Sequence, residues 1–323
     1  MPALWEIADL ATPWAIHVAA TLRIADHIAA GIDRIAPLAD AAHADRDALH
    51  RVLRQLVSKG IFEEPEPGRF ALNDNSRQLL DPVLRGGFDL DLIGGRMAYS
   101  WSTLLTAVRT GRPAYHEVFG RPFWDDLGAN PAVAESFDQL MGPGHGDPDP
   151  EVLPDPSLWP SIHTMVDVGG GTGTLLAAVL RAHPETRGTL VDFPRTVARS
   201  AEVFERAGVV DRATAIGQSF FDSLPAGADL YFMKSVLSDW PDREAVAILT
   251  RCAEAMAPAS RLVLVNGVTP AETASPELLM LVLVGGRART LAEFSLLAGH
   301  AGLAVSATSH NASGRFLVEC RRA

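Results

Sequence analysis

Val166-Asp167-Val168-Gly169-Gly170-Gly171-Thr172-Gly173-Thr174 joins an apolar strand to an apolar, alanine-rich helix through a run of glycines. Glycine has no Cβ, so it serves where the chain turns sharply and a ligand presses on the backbone. Such a turn points backbone N–H groups at the start of the helix toward a nucleotide-like ligand. The spacing is G-x-G-x-G, with Thr174 where the dinucleotide fingerprint has its third glycine. Asp167 precedes the turn, and Asp192 closes the next apolar strand, Thr189-Leu190-Val191-Asp192. An acid at that place accepts hydrogen bonds from both ribose hydroxyls. Together these features favour S-adenosylmethionine (SAM) over NAD.

Downstream of the turn, strand and helix patterns alternate. Strands are expected at 164–168, 188–192, 213–217, 229–234, 261–266, 303–309 and 315–320, and helices at 173–183, 195–207, 242–256 and 290–301. Alternation of this kind calls for a mostly parallel sheet with helices on both faces. Only Asn311-Ala312-Ser313-Gly314 separates the last two strands, so they form a hairpin and one strand runs antiparallel. The expected fold class is α/β, a Rossmann-like sheet of seven strands with a helical domain ahead of it.

Upstream, residues 5–30 carry apolar side chains at helical spacing up to Gly31. A short helix at 35–44 follows, then a second at 47–59 ended by Gly60. Ile61-Phe62 and Arg69-Phe70-Ala71-Leu72 flank Glu64-Pro65-Glu66-Pro67-Gly68 as a β-ribbon. Helix, helix, ribbon is a winged-helix pattern, which often reads DNA. Yet residues 31–75 hold six basic side chains against eight acidic ones, with the acids crowding the wing. Phosphate contact needs the opposite balance, so a packing or dimerisation module is expected. Residues 85–145 read as helices broken at Gly86-Gly87, Gly94-Gly95, Gly111 and Gly120, and no internal repeat is present.

The 323 residues carry a net charge of −11 and no polybasic cluster, which argues against nucleic acid and anionic membrane as partners. The longest apolar run, 278–284, falls short of the roughly 20 residues a membrane span needs. No secretory leader is evident. Cys252 and Cys320 are too few for a disulfide scaffold or a thiolate metal site, so a cytoplasmic protein without a bound metal is expected.

With these motifs in order, the chain resembles the SAM-dependent O-methyltransferases that include plant caffeate-type enzymes and bacterial tailoring enzymes of aromatic polyketides. The resemblance rests on the glycine turn, on Asp192-Phe193-Pro194, on Lys234-Ser235-Val236-Leu237-Ser238-Asp239-Trp240-Pro241-Asp242, and on Gly285-Gly286-Arg287-Ala288-Arg289-Thr290. It implies a class I methyltransferase fold in residues 101–323, with its Rossmann-like core from about 160, behind a winged-helix-like dimerisation domain in residues 1–100. It also implies a homodimer acting on a small molecule in specialised metabolism, such as antibiotic biosynthesis. Carried over by position, Asp167, Gly169, Gly171 and Gly173 belong to the cofactor site, and Asp192 takes the ribose. Phe220 lies against adenine with Lys234 near it. Ser219 stands where the family has aspartate. Phe137, Met141 and Met280 match acceptor-lining positions, although such side chains equally suit an ordinary core.

The same resemblance locates departures. The family's general base is the histidine of Leu-His-Asp-Trp, and here Ser238 stands in its place. Its two supporting glutamates fall at Asn266 and Ala288. A phenol with a pKa of about 10 is ionised in roughly one molecule per thousand at neutral pH, and serine has no basic site to help. Asp239 is the nearest candidate base, or else it braces the strand end. Arg289, of the same motif group, joins Ser238 and Asp239 as a candidate catalytic residue. His145 either reaches over the pocket or sits in solvent.

Two activities fit. In the first, methyl transfer relies on proximity and orientation, as in relatives lacking the histidine. In the second, the SAM site is kept for a non-methylating reaction such as rearrangement, cyclisation, decarboxylation or hydroxylation, where the sulfonium charge stabilises a developing anion.

Overall fold

The computed structural model describes residues 4–141 and 149–323. They fall into two compact units, Met1–Tyr99 with Ala129–Gly144, and Ser100–Gly128 with His145–Ala323. His145 lies outside the described residues.

In the first unit the apolar stretch expected as one helix is three: Leu4–Ile7, Ala11–Thr21 and Ile24–Ala29. The Asp9 carboxylate accepts the amides of Ala11 and Thr12 and so starts the second helix afresh. Arg23, at φ 52°, breaks the chain before the third. The helix Arg46–Ser58 begins on Asp45, whose Oδ1 accepts the Ala48 amide at 2.9 Å. Strands β1 (Phe62–Glu66) and β2 (Arg69–Leu72) form the antiparallel ribbon. Ile24, Leu38, Leu53, Leu56, Phe62 and Phe70 fill the core between these elements. The ribbon's acids are met by the unit's own bases: Glu64 lies 3.9 Å from Arg54 and Glu66 lies 3.5 Å from Arg34.

The helix Ile93–Ser100 runs straight through Gly94-Gly95, where a break was expected. A Cβ at Gly95 would collide with the Leu90 carbonyl, and one at Gly94 would come within 2.6 Å of Phe88. These glycines let the helix lie against the preceding loop instead of ending it.

The second unit is built on the seven-stranded sheet. Its strands are β3 (Thr164–Val168), β4 (Arg187–Asp192), β5 (Ala213–Gly217), β6 (Leu230–Lys234) and β7 (Arg261–Val265), followed after a short pair by the final hairpin. That pair is β8 (Val268–Thr269) with β9 (Arg289–Thr290), two parallel residues each, too short to leave a pattern in the sequence. The hairpin is β10 (Leu303–His310) and β11 (Phe316–Arg322). The order is β10-β11-β7-β6-β3-β4-β5, with β11 antiparallel to both neighbours. Along β6 the side chains alternate between faces. Tyr231 and Met233 join Ile248, Leu249 and Phe294, whereas Leu230 and Phe232 join Leu176, Val179 and Phe204. The helix expected over 195–207 is divided into Pro194–Val197 and Ser200–Ala207. Among the described residues no helix is long and apolar enough to cross a membrane.

The chain runs outward from β3 to β4 and β5, then returns to place β6 on the other side of β3. In open α/β sheets ligands bind at such a reversal, beyond the carboxyl ends of the strands, which here are β3 and β6.

Candidate functional site

Gly169, Gly171 and Gly173 all take positive φ, at 73°, 63° and 81°. Gly169 donates to Val191 O at 2.8 Å, and a Cβ on it would lie 2.7 Å from Val236. A Cβ on Gly173 would lie 2.7 Å from the Phe204 ring, so the helix Thr174–Ala182 can start tight against the helix Ser200–Ala207. From Gly171 the Cβ direction opens into space with no atom within 4 Å.

Asp192 locks this turn to the next strand. Its Oδ2 accepts the Gly171 amide at 2.8 Å and its Oδ1 accepts the Phe193 amide at 2.7 Å. Asp167 sits beneath the turn, 1% exposed, with Gly170 folded onto its carboxyl group. Asp167 Oδ2 has no hydrogen-bond partner among the described residues. Burial, reinforced by the charge of Asp192, holds this carboxyl well above the usual carboxylate range, and Lys234 opposes the shift. The Lys234 ammonium is in turn held below its ordinary range by burial and by Arg315.

An aromatic wall stands beside the turn. Phe220 packs 6.3 Å from Phe193 and edge-on to Trp240 at 5.8 Å, while Trp240 stacks on Trp124 at 6.0 Å. The Arg195 guanidinium lies 5.1 Å over the Phe193 ring. Ser219 Oγ accepts the Phe221 amide at 3.2 Å and shapes the local turn. Of this wall, the contributions of Trp124 and Arg195 escape sequence reasoning, because neither belongs to a recognisable motif.

Ser238 and Asp239 fall on a single 3₁₀ turn, Leu237–Asp239, after β6. Arg289 holds that turn from behind. Its guanidinium is fully buried and donates to Leu237 O at 2.9 Å, to Trp240 O at 2.8 Å, and twice to Asp242 Oδ1 at 2.8 and 3.0 Å. Its donors are spent on the protein, and it holds the turn in place. The Asp239 carboxyl is pushed up to about 7, first by burial and then by the charge of Glu277. Glu277, at φ 40°, immediately precedes the helix Leu278–Leu283. No sequence motif announced it. Asn266 donates to Ser235 Oγ at 3.3 Å and offers no base.

Of the acceptor-side positions, Phe137 and Met141 lie on the helix Pro131–Met141 of the first unit, half-buried and exposed respectively. Met280 is half-buried on Leu278–Leu283 of the second unit.

The sequence profile of the O-methyltransferase domain matches residues 101–304, and that of the O-methyltransferase dimerisation domain matches residues 5–82. The chain belongs to the O-methyltransferase family. Among its relatives in that family is the 2,7-dihydroxy-5-methyl-1-naphthoate 7-O-methyltransferase of Streptomyces carzinostaticus. The two are 42% identical over 309 residues, 94% of this chain and 93% of the relative. Aclacinomycin 10-hydroxylase RdmB of Streptomyces purpurascens is 38% identical over 94% of this chain and 84% of its own length. A solved structure of NcsB1, an O-methyltransferase from neocarzinostatin biosynthesis in complex with SAM and 2-hydroxy-5-methyl naphthoic acid, superposes with a TM-score of 0.90. That pair is 40% identical, with 100% of this chain and 99% of the other covered.

Proposed function

We propose that the protein transfers a methyl group from SAM to a hydroxyl of a small bicyclic or polycyclic aromatic acceptor in specialised metabolism. The observation that carries this reading is the open glycine turn, with the Asp192 carboxylate at its edge and the orphaned Asp167 oxygen beneath it. These residues fit the cofactor. Gly169, Gly171 and Gly173 leave room for its methionine and ribose, Asp192 takes the ribose hydroxyls, and Phe220 offers adenine an apolar face. Lys234 and Ser219 complete this shell at the ends of β6 and just past β5. When bound, SAM supplies an electrophilic methyl on a sulfonium.

The protein's part is to hold the acceptor in line with that methyl. Orientation of this kind accounts for up to about 7–11 kcal/mol of a barrier in favourable cases. Phe137, Met141 and Met280 are assigned to the acceptor on the resemblance alone. The family's dimerisation domain supports a homodimer, as do the exposed Leu4, Ile7 and Leu10 of the first unit. The acid-rich ribbon and the two free, buried cysteines support a cytoplasmic protein that does not engage nucleic acid.

A second reading, chemistry without methyl transfer, is favoured by Ser238, Asn266 and Ala288 in place of the family's base group, and by the relative that is a hydroxylase. Incubation of the protein with methyl-labelled SAM and a panel of hydroxynaphthoic acids separates the two. The expected result is label in the product together with stoichiometric demethylated cofactor. An altered product without label, with SAM unconverted, would contradict methyl transfer.

A further inference from the structure

We propose that the carboxylate of Asp239 takes the proton from the acceptor hydroxyl in place of the family's histidine. The inference rests on the methyl-transfer reading and deepens it. Its first ground is position. Asp239 lies on the turn that closes the carboxyl end of β6, and the residues flanking it reach the cofactor cradle directly. Val236 packs on Gly169, and Trp240 packs edge-on to Phe220.

Its second ground is rigidity. Arg289 grips Leu237 O and Trp240 O, one on each side of Ser238 and Asp239, and Asp242 fixes Arg289 in turn. A Cβ on Gly286 would strike Ser238 O, so this glycine lets the loop ahead of β9 back the turn closely. A base must sit within hydrogen-bond reach of the proton it removes, and a braced turn maintains that geometry.

Availability is the third ground. No amide or side chain among the described residues donates to the Asp239 carboxyl, whereas Asp192 and Asp242 are both engaged. Of the charged groups near this turn, Glu277 acts on Asp239 through its charge. Arg289 is turned to Asp242 and the turn carbonyls, and Arg287 to Asp242 and Glu293. Glu277 is held in the left-handed region, a costly conformation for a side chain of its size. Burial disfavours the charged form of a carboxyl group, and a like charge nearby disfavours it further. Burial first and the charge of Glu277 second push the Asp239 carboxyl up to about 7, which suits proton transfer at neutral pH.

In the step itself the acceptor oxygen bonds to the methyl carbon, the carbon–sulfur bond breaks with its pair left on sulfur, and the hydroxyl proton passes to Asp239. Asp239 then returns that proton to solvent. Ser238 and Asn266 cannot substitute, since neither side chain is basic at neutral pH.

The test uses the full chain with Asp239→Asn and Glu277→Gln. Carbon-13 NMR of the side-chain carboxyls should show a group titrating near 7, besides the raised Asp167, that is absent in Asp239→Asn and moved to lower pH in Glu277→Gln, where the like charge is gone. With labelled SAM and hydroxynaphthoic acids, Asp239→Asn should lower kcat by about 10²-fold or more. It should also erase the acidic limb of the pH profile while calorimetric SAM affinity stays within about threefold. A wild-type spectrum with no neutral titration that Asp239→Asn removes, or an Asp239→Asn variant turning over within about threefold of wild type, would overturn the proposal. Failure of the wild-type protein to bind SAM would instead overturn the reading beneath it.

Discussion

Asp167 illustrates how one residue sets function against stability. The buried carboxyl keeps its proton in the folded protein at pH values where the unfolded chain has lost it. The contribution of Asp167 to stability is therefore greatest below about pH 4, the unfolded value, and declines as pH rises toward the raised folded value. Asp167→Asn removes the ionisable group. It should raise the melting temperature of the ligand-free protein near pH 7.5, with the gap closing toward pH 4. The same variant should show a smaller thermal shift on adding SAM. A pH-independent melting difference would contradict this account. Asp167, the glycines and Asp192 were legible in the sequence because strand, turn and helix are contiguous, and the second acid ends the next strand. Glu277 was not legible, since its charge acts on Asp239 only through the tertiary fold and an isolated glutamate before an apolar run carries no signal. Arg289 was legible as important, yet its role became clear only once its partners were located.

At the scale of the element, the 3₁₀ turn after β6 has little intrinsic stability. It offers one short stretch of weak hydrogen bonds, and Arg289 supplies what it lacks. Arg289→Met would strip donors from Leu237 O and Trp240 O, at about 1–3 kcal/mol for each carbonyl left buried and unmet. Urea denaturation should report that loss. Arg289→Lys should recover only part of it, because a single ammonium cannot span the fork. A midpoint unchanged in Arg289→Met would show that the turn holds itself. Strand positions in the large sheet followed from apolar patterning, and the final reversal followed from the short connection between the last two strands. Helix breaks did not follow as well. Asp9 and Arg23 divide an apolar stretch through local capping and backbone geometry, while Gly94-Gly95 passes through a helix because the neighbouring loop needs its surface.

For the whole molecule, the alternating strands and helices led directly to the seven-stranded sheet, and the sheet's reversal beside β3 determines where a ligand can bind. Less legible was the composition of the helical unit, which includes Ala129–Gly144 after the chain has left it at Tyr99. Such a return depends on packing between distant segments and has no local signature. The acidic net charge and the exposed apolar side chains at the chain's start fit assembly with a second copy better than attachment to a polyanion. Native mass spectrometry of the purified chain with excess SAM tests the cofactor cradle most directly. The expected species is a pair of chains carrying one SAM or its demethylated product apiece, with Asp192→Ala retaining the pair but losing the ligand. Wild-type protein that takes up neither molecule at saturating excess would contradict the account.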